Sequence, residues 1–196
     1  MKTFSQEFEE YKNSLVGKGS LAEESFLFWT KNFLNQPQPL NPNDLLSGKI
    51  YSFEYLDILE KPKKFINKRP VVFFAGFGTG EKKDVFSGID LILIPPMIKI
   101  PLFNRIMSVY ESSIRRNIEM QERGEIRDQI PLKTDFEILN NVFSGIPFKN
   151  SYRSWDIKKV RDLREIPYQD WTKIVYLFTR SIQGTPIEEI YKKNMT

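Results

Sequence analysis

Apolar positions recur at helical spacing in three stretches of this chain and alternate or run continuously in several others, which separates helices from strands. Phe4, Phe8, Tyr11 and Leu15 fall on one side of a helix with Ser5 as its N-cap, and Gly17-Lys18-Gly19 closes it. Ser20-Leu21-Ala22-Glu23 reads as a capping box for a second helix, whose Ala22, Phe26, Trp29 and Phe33 form an aromatic face. That face is core, or it is a set of anchors (Phe26, Trp29, Phe33) for docking on a neighbouring subunit. Three prolines between Asn35 and Asn43 predict an extended connector. This is the one boundary: residues 1–47 form a helical arm and connector, and 48–196 form the core domain.

Gly48 to Leu59 partly alternates and predicts a strand with one solvated face, followed by a basic loop over Lys61–Arg69. Pro70 to Phe77 is apolar throughout, as a strand buried on both sides would be, and residues 84–94 supply a third strand of an antiparallel meander. Pro95-Pro96 cannot donate to a ladder and halts it. From Pro101 to Arg123 the period changes, with Leu102, Ile106, Tyr110, Ile114 and Ile118 on one side of a helix that Gly124 ends. A short helix over Thr134–Val142 follows. Ile174 to Phe178 is β-prone and would close the sheet, and Thr185-Pro186-Ile187-Glu188 has the N-cap, N1 proline and N3 glutamate of a terminal helix.

Two basic groups bear on partners. Arg115 and Arg116, with Arg123 and Arg127, lie on or just after the second half of the long helix, as a solvated basic end or as phosphate contacts. Between Tyr152 and Glu165, Arg153, Lys158, Lys159, Arg161 and Arg164 are interleaved with Tyr152 and Trp155, the pattern of a single-stranded nucleic-acid surface. Trp155, Ile157, Val160 and Leu163 equally suit the buried side of a strand or short helix.

Composition narrows the chemistry. The 196 residues include no cysteine and no histidine, which removes disulfides, thiolate nucleophiles, triad hydrolysis and histidine-ligated metals. A formal net charge of +4 permits contact with nucleic acid or an acidic surface without demanding it. MKTFSQEFEEYK places acids where a secretory signal needs an apolar core, so no export signal is expected. The run from Ile89 to Pro101 contains Asp90, Lys99 and three prolines, so no membrane span is expected there. Gly76-Phe77-Gly78-Thr79-Gly80 lacks the GxxxxGK[ST] spacing and reads as a turn. Asp90 lies on a strand of the kind a metal-dependent nuclease uses, but Met97-Ile98-Lys99 lacks the acid that such a site needs. Ser87 with Lys99 matches no serine–lysine spacing. No catalytic residue, cofactor or metal site is expected.

Gly48-Lys49-Ile50-Tyr51-Ser52-Phe53-Glu54-Tyr55, Arg69-Pro70-Val71-Val72 and Phe86-Ser87-Gly88-Ile89-Asp90-Leu91-Ile92-Leu93-Ile94-Pro95-Pro96 together resemble a pattern from tailed-bacteriophage proteins. There a GK-x-Y-x-F-x-Y strand, a P-[VL]-[VIL] strand and an F-x-G-[IL]-[ND]-L-x-x-[LI]-P strand follow one another. A helix and a late Tyr-Arg block come next, before an I-x-x-x-D-W segment like Ile166–Trp171 here. The likeness spans roughly residues 48–178; the Y-Y-D approach of the pattern is missing before Pro70, and residues 1–47 have no counterpart.

The resemblance implies a non-enzymatic virion component of the neck, collar or tail. Such a component would form a homo-oligomeric ring, pack against other virion proteins and be assembled in the host cytoplasm. The alternative it implies is an end protector or head-completion protein contacting packaged DNA. The expected fold is α+β: a small twisted antiparallel sheet or partly open barrel, a long helix after the third strand, and helical arms at both ends.

Overall fold

A computed structural model describes residues 4–15, 21–31, 38–46, 48–56, 67–123, 151–177, 181–182 and 185–195. Phe33, Gly124, Arg127, the Gly17–Gly19 stop, most of the basic loop before Arg69 and the helix expected over Thr134–Val142 lie outside these residues.

The fold is α+β. Five antiparallel strands, β1 (Ile50–Tyr55), β2 (Val71–Phe77), β3 (Val85–Asp90), β4 (Tyr152–Asp156) and β5 (Val160–Glu165), lie in the order β4-β3-β2-β1-β5. The first three form the expected meander. Helices α1 (Phe4–Leu15), α2 (Leu21–Trp29), α3 (Pro96–Glu122), α4 (Trp171–Ile174) and α5 (Ile187–Met195) accompany the sheet, and Ser181–Ile182 pairs with Thr185–Pro186 as β6 and β7.

The strand order dictates the shape. β4 and β5 are the two edges, yet only Ile157–Lys159, one 3-10 turn, joins them. Across a flat five-stranded sheet the edges stand ~19 Å apart. A three-residue 3-10 link covers roughly 8 Å, so this end of the sheet must curl until its edges nearly meet. Two hydrogen bonds hold the curl: Asp156 N–H donates to the Tyr55 hydroxyl at 3.4 Å, and Leu56 N–H to the Lys159 carbonyl at 2.9 Å. A bulge on β5 bends it further, with Asp162 in the left-handed region at φ 49° and its carboxylate on Arg164 at 2.7 Å. Asp is one of the few residues that takes this conformation readily.

The curl encloses an aromatic cluster. Phe53 meets Phe86, Trp155 and Tyr55 edge-on, and Phe86 stacks on Trp155 at 5.5 Å. Leu45, from the connector, packs into the same cluster, and Leu40 N–H donates to the Leu163 carbonyl on β5. The opposite face of the sheet, including Ile50, Val71, Phe73 and Ile89, packs against Phe28, Phe103, Ile106, Trp171, Ile174 and Ile190 from the helices. With both faces covered, β1 is buried at Ile50, Tyr51, Ser52 and Phe53, so the solvated face expected for it does not exist. The expected burial of β2 on both sides is observed.

Several boundaries differ from the sequence reading. β3 ends at Asp90 because the Asp90 carboxylate accepts from Ile92 N–H at 3.1 Å and turns the chain into a 3-10 turn, Leu91–Leu93. Helix α3 starts at Pro96 rather than Pro101. Pro96 occupies the first helical position, where its missing N–H costs nothing, while the Pro95 carbonyl accepts from Ile98 and Lys99. The block expected as a closing strand, Ile174–Phe178, is described as far as Leu177; it begins in α4 and continues as a turn at Val175–Tyr176, with Val175 and Leu177 buried, while Phe178 lies outside the described residues. β5 already occupies the free edge of β1, so tertiary placement overrides β-propensity there. Ser5 lies inside α1 rather than at its cap, and α5 starts at Ile187, two residues later than expected, because Thr185 and Pro186 are held in β7. No described helix is long and apolar enough to cross a membrane.

Candidate functional site: the seam between sheet and helices

Where β3 hands over to α3, the core holds ionisable groups. Asp90 is fully buried at the end of β3. Its own N–H donates to the Ser151 carbonyl at 2.8 Å, and Asn67 Nδ2 lies 3.4 Å from its Oδ2. Burial pushes the Asp90 carboxyl up to about 6, against the pull of Arg153, the Ile92 and Asn67 hydrogen bonds and Lys99.

Lys99 is also fully buried, one turn before Leu102, Phe103, Ile106 and Met107 on the inward face of α3. Its Nζ lies 3.4 Å from the Ile174 carbonyl in α4. Burial brings this ammonium down to about 7, against the attraction of Asp90. Burial also lowers Arg153, opposed by Asp90, and raises Tyr191 of α5 to about 12, with Glu188 and Asp90 adding to it. Such a cluster can gain or lose a proton near neutral pH inside the core. Among the described residues no group of three or more acidic, histidine or cysteine side chains could hold a metal.

A second buried carboxylate fastens the N-terminal helices. Asp170, 1% exposed, accepts from Lys31 at 2.8 Å and from Lys173 at 2.8 Å. Burial alone would raise its carboxyl, but the two lysines hold it below the ordinary carboxylate range. A group with a depressed folded pKa adds stability that is present above its ordinary value near 3.8 and is lost as pH falls through the folded value. Asp170→Asn is therefore expected to cost about 2 kcal/mol at pH 7, the order of a hydrogen bond to a charged group. That deficit should shrink towards pH 3 in urea titrations. A deficit that does not change between pH 7 and pH 3 would count against the clasp.

Of the basic residues singled out between Tyr152 and Glu165, Lys158, Lys159 and Arg161 lie at the curled end of the sheet, Arg153 and Arg164 lie further along β4 and β5, and all five are engaged within the fold. Lys158 pairs with Asp84, and Arg161 donates to the Lys158 and Val160 carbonyls at 3.0 and 2.9 Å. Arg164 is buried against Asp162, Arg153 is drawn towards Asp90, and Lys159 is half-buried with its carbonyl on Leu56. Trp155, Val160 and Leu163 lie in the aromatic cluster with Ile157 against it, as the core reading of this block required. Arg115 and Arg116 lie on α3, away from this block in the chain. In α2 the inward residues are Ser25 and Phe28, with Trp29 half-buried edge-on to Phe28 at 5.3 Å. Phe26 shares this helix, and Leu27 is exposed. Ser87 shares a hydrogen bond with Ser154 at 2.7 Å, whereas Lys99 is in the core.

Sequence reasoning missed Lys99, Arg164 and Asp170 as buried charges. The signal for Lys99 was present: it stands three and four residues before Leu102 and Phe103, but placing the helix start at Pro101 removed it from the stripe. Comparison with protein-family models, curated proteins and solved structures gives no match in any of the three.

Proposed function

We propose that this chain is a non-enzymatic structural component of a tailed-bacteriophage virion, in the neck, collar or tail, acting by packing against copies of itself and neighbouring virion proteins. What supports the reading is where the phage-like motif residues fall. Ile50, Tyr51, Phe53, Val71, Val72, Phe86 and Ile89 are all buried in the two faces of the sheet, and Leu91 is buried in the turn that follows β3, so the shared pattern encodes a scaffold. Surface charge is spent locally, on pairs such as Lys158 with Asp84 and Lys49 with Glu165.

Quantitative mass spectrometry of purified particles tests the assignment. A ring component is expected in a multiple of the particle's axial symmetry. Absence from particles would overturn the reading. One or two copies, together with steeply salt-dependent binding to linear duplex ends, would replace it with an end protector.

A further inference from the structure

We propose that Lys99 and Asp90 form a proton-operated latch in the seam where α3 leaves the sheet, tightening the base of α3 against β3 and α4 when Lys99 is neutral. Three elements meet at these two side chains. Asp90 terminates β3 and caps the following 3-10 turn, Lys99 sits in the first turn of α3, and Lys99 donates to the Ile174 carbonyl of α4 at 3.4 Å. A buried ammonium with one hydrogen bond of 3.4 Å is under-satisfied, because it carries three donors. The Ser151 hydroxyl, fully buried in the residue whose carbonyl meets Asp90, has no hydrogen-bond partner among the described residues. The seam therefore keeps polar groups that a rearrangement would satisfy better.

The groups facing the pair are Arg153 from β4, Asn67 from the segment before β2, and Tyr191 from α5 with Glu188 on the same helix. Arg153 keeps its charge across the accessible range and faces Asp90, so Asp90 has a partner whether or not Lys99 is charged. Among the described residues, Asp90 is the anion that acts on Lys99.

The sign follows from the two directions. The Lys99 amine is lowered to about 7, so between there and its ordinary 10.5 the unfolded chain binds the extra proton and stability rises with pH. The Asp90 carboxyl is raised to about 6, so from 3.8 to that value the folded chain binds the extra proton and stability falls with rising pH. The seam is loosest between about 6 and 7, where both groups are charged.

Two measurements on the full chain decide the matter. With ¹³C-labelled lysine, one Cε resonance of the native protein should titrate near neutrality and vanish in Lys99→Met. If every lysine titrates at its ordinary value, the latch is overturned. Amide exchange over Ile100–Phe103, corrected for intrinsic rates, should slow roughly tenfold between pH 6.5 and 8.5, the effect of about one unit of differential protonation. Equal protection at both pH values would overturn it even if Lys99 titrates. The wild-type measurements stand whether or not Lys99→Met folds.

Discussion

Gly88→Ala is expected to cost ~3 kcal/mol, at the upper end of overpacking substitutions. Gly88→Val should leave no folded protein in the absence of stabilising osmolyte. A Cβ on Gly88 would sit 2.5 Å from the Phe73 carbonyl oxygen and 2.5 Å from Val72 Cγ1. The carbonyl belongs to the backbone of β2 and cannot rotate away, so β3 would have to separate from β2 along their shared ladder. Gly76 is the internal control, because a Cβ there meets nothing within 4 Å. Gly76→Ala should be neutral within ~0.5 kcal/mol, as for a surface substitution. Urea-induced unfolding followed by circular dichroism measures both. Equal effects at the two glycines would show that close strand approach is not what Gly88 supplies.

Phe53→Ala should cost ~3–5 kcal/mol, the range for deleting a buried aromatic side chain. Phe53 has no exposed surface, and its ring meets Phe86 at 5.4 Å and Trp155 at 5.7 Å. It sits at the centre of the curl, where the sheet brings its edges together, so collapse around the cavity would require the strands to move. Loss of the near-ultraviolet signal from the Trp155–Phe86 stack should accompany the drop in stability. Phe53→Leu, which keeps most of the volume, should lose less than half as much. A cost of under ~1 kcal/mol for Phe53→Ala would mean that the cluster does not support the curl.

These two sites differ in how far they could be read from the chain. The run Phe86-x-Gly88-Ile89 stood out as a motif, but nothing local distinguishes Gly88, which needs the approach of β2, from Gly76, which does not. Phe53 was legible as a strand residue, yet its ring partners on β3 and β4 lie 33 and 102 positions further on (86 − 53 and 155 − 53). The basic block shows the same limit. Its alternation of cations and aromatics fits a stacking surface and a pair of strands equally well. What separates them is the pairing of β4 with β3 and β5 with β1, which turns Trp155 and Leu163 inward.

By itself, the sequence determined the local order of the elements: an α+β chain, three consecutive strands in a meander, a long helix after the third strand, and a β2 that is apolar on both sides. Periodicity and proline act over a few residues and need no partner to be read. Only the tertiary structure decided that β5 returns to β1 and that the edges curl around Phe53. It alone placed Asp90, Lys99 and Asp170 in the core. A buried charge is set by what packs over it, and the groups over Lys99 come from β3 and α4, at Asp90 and at Ile174.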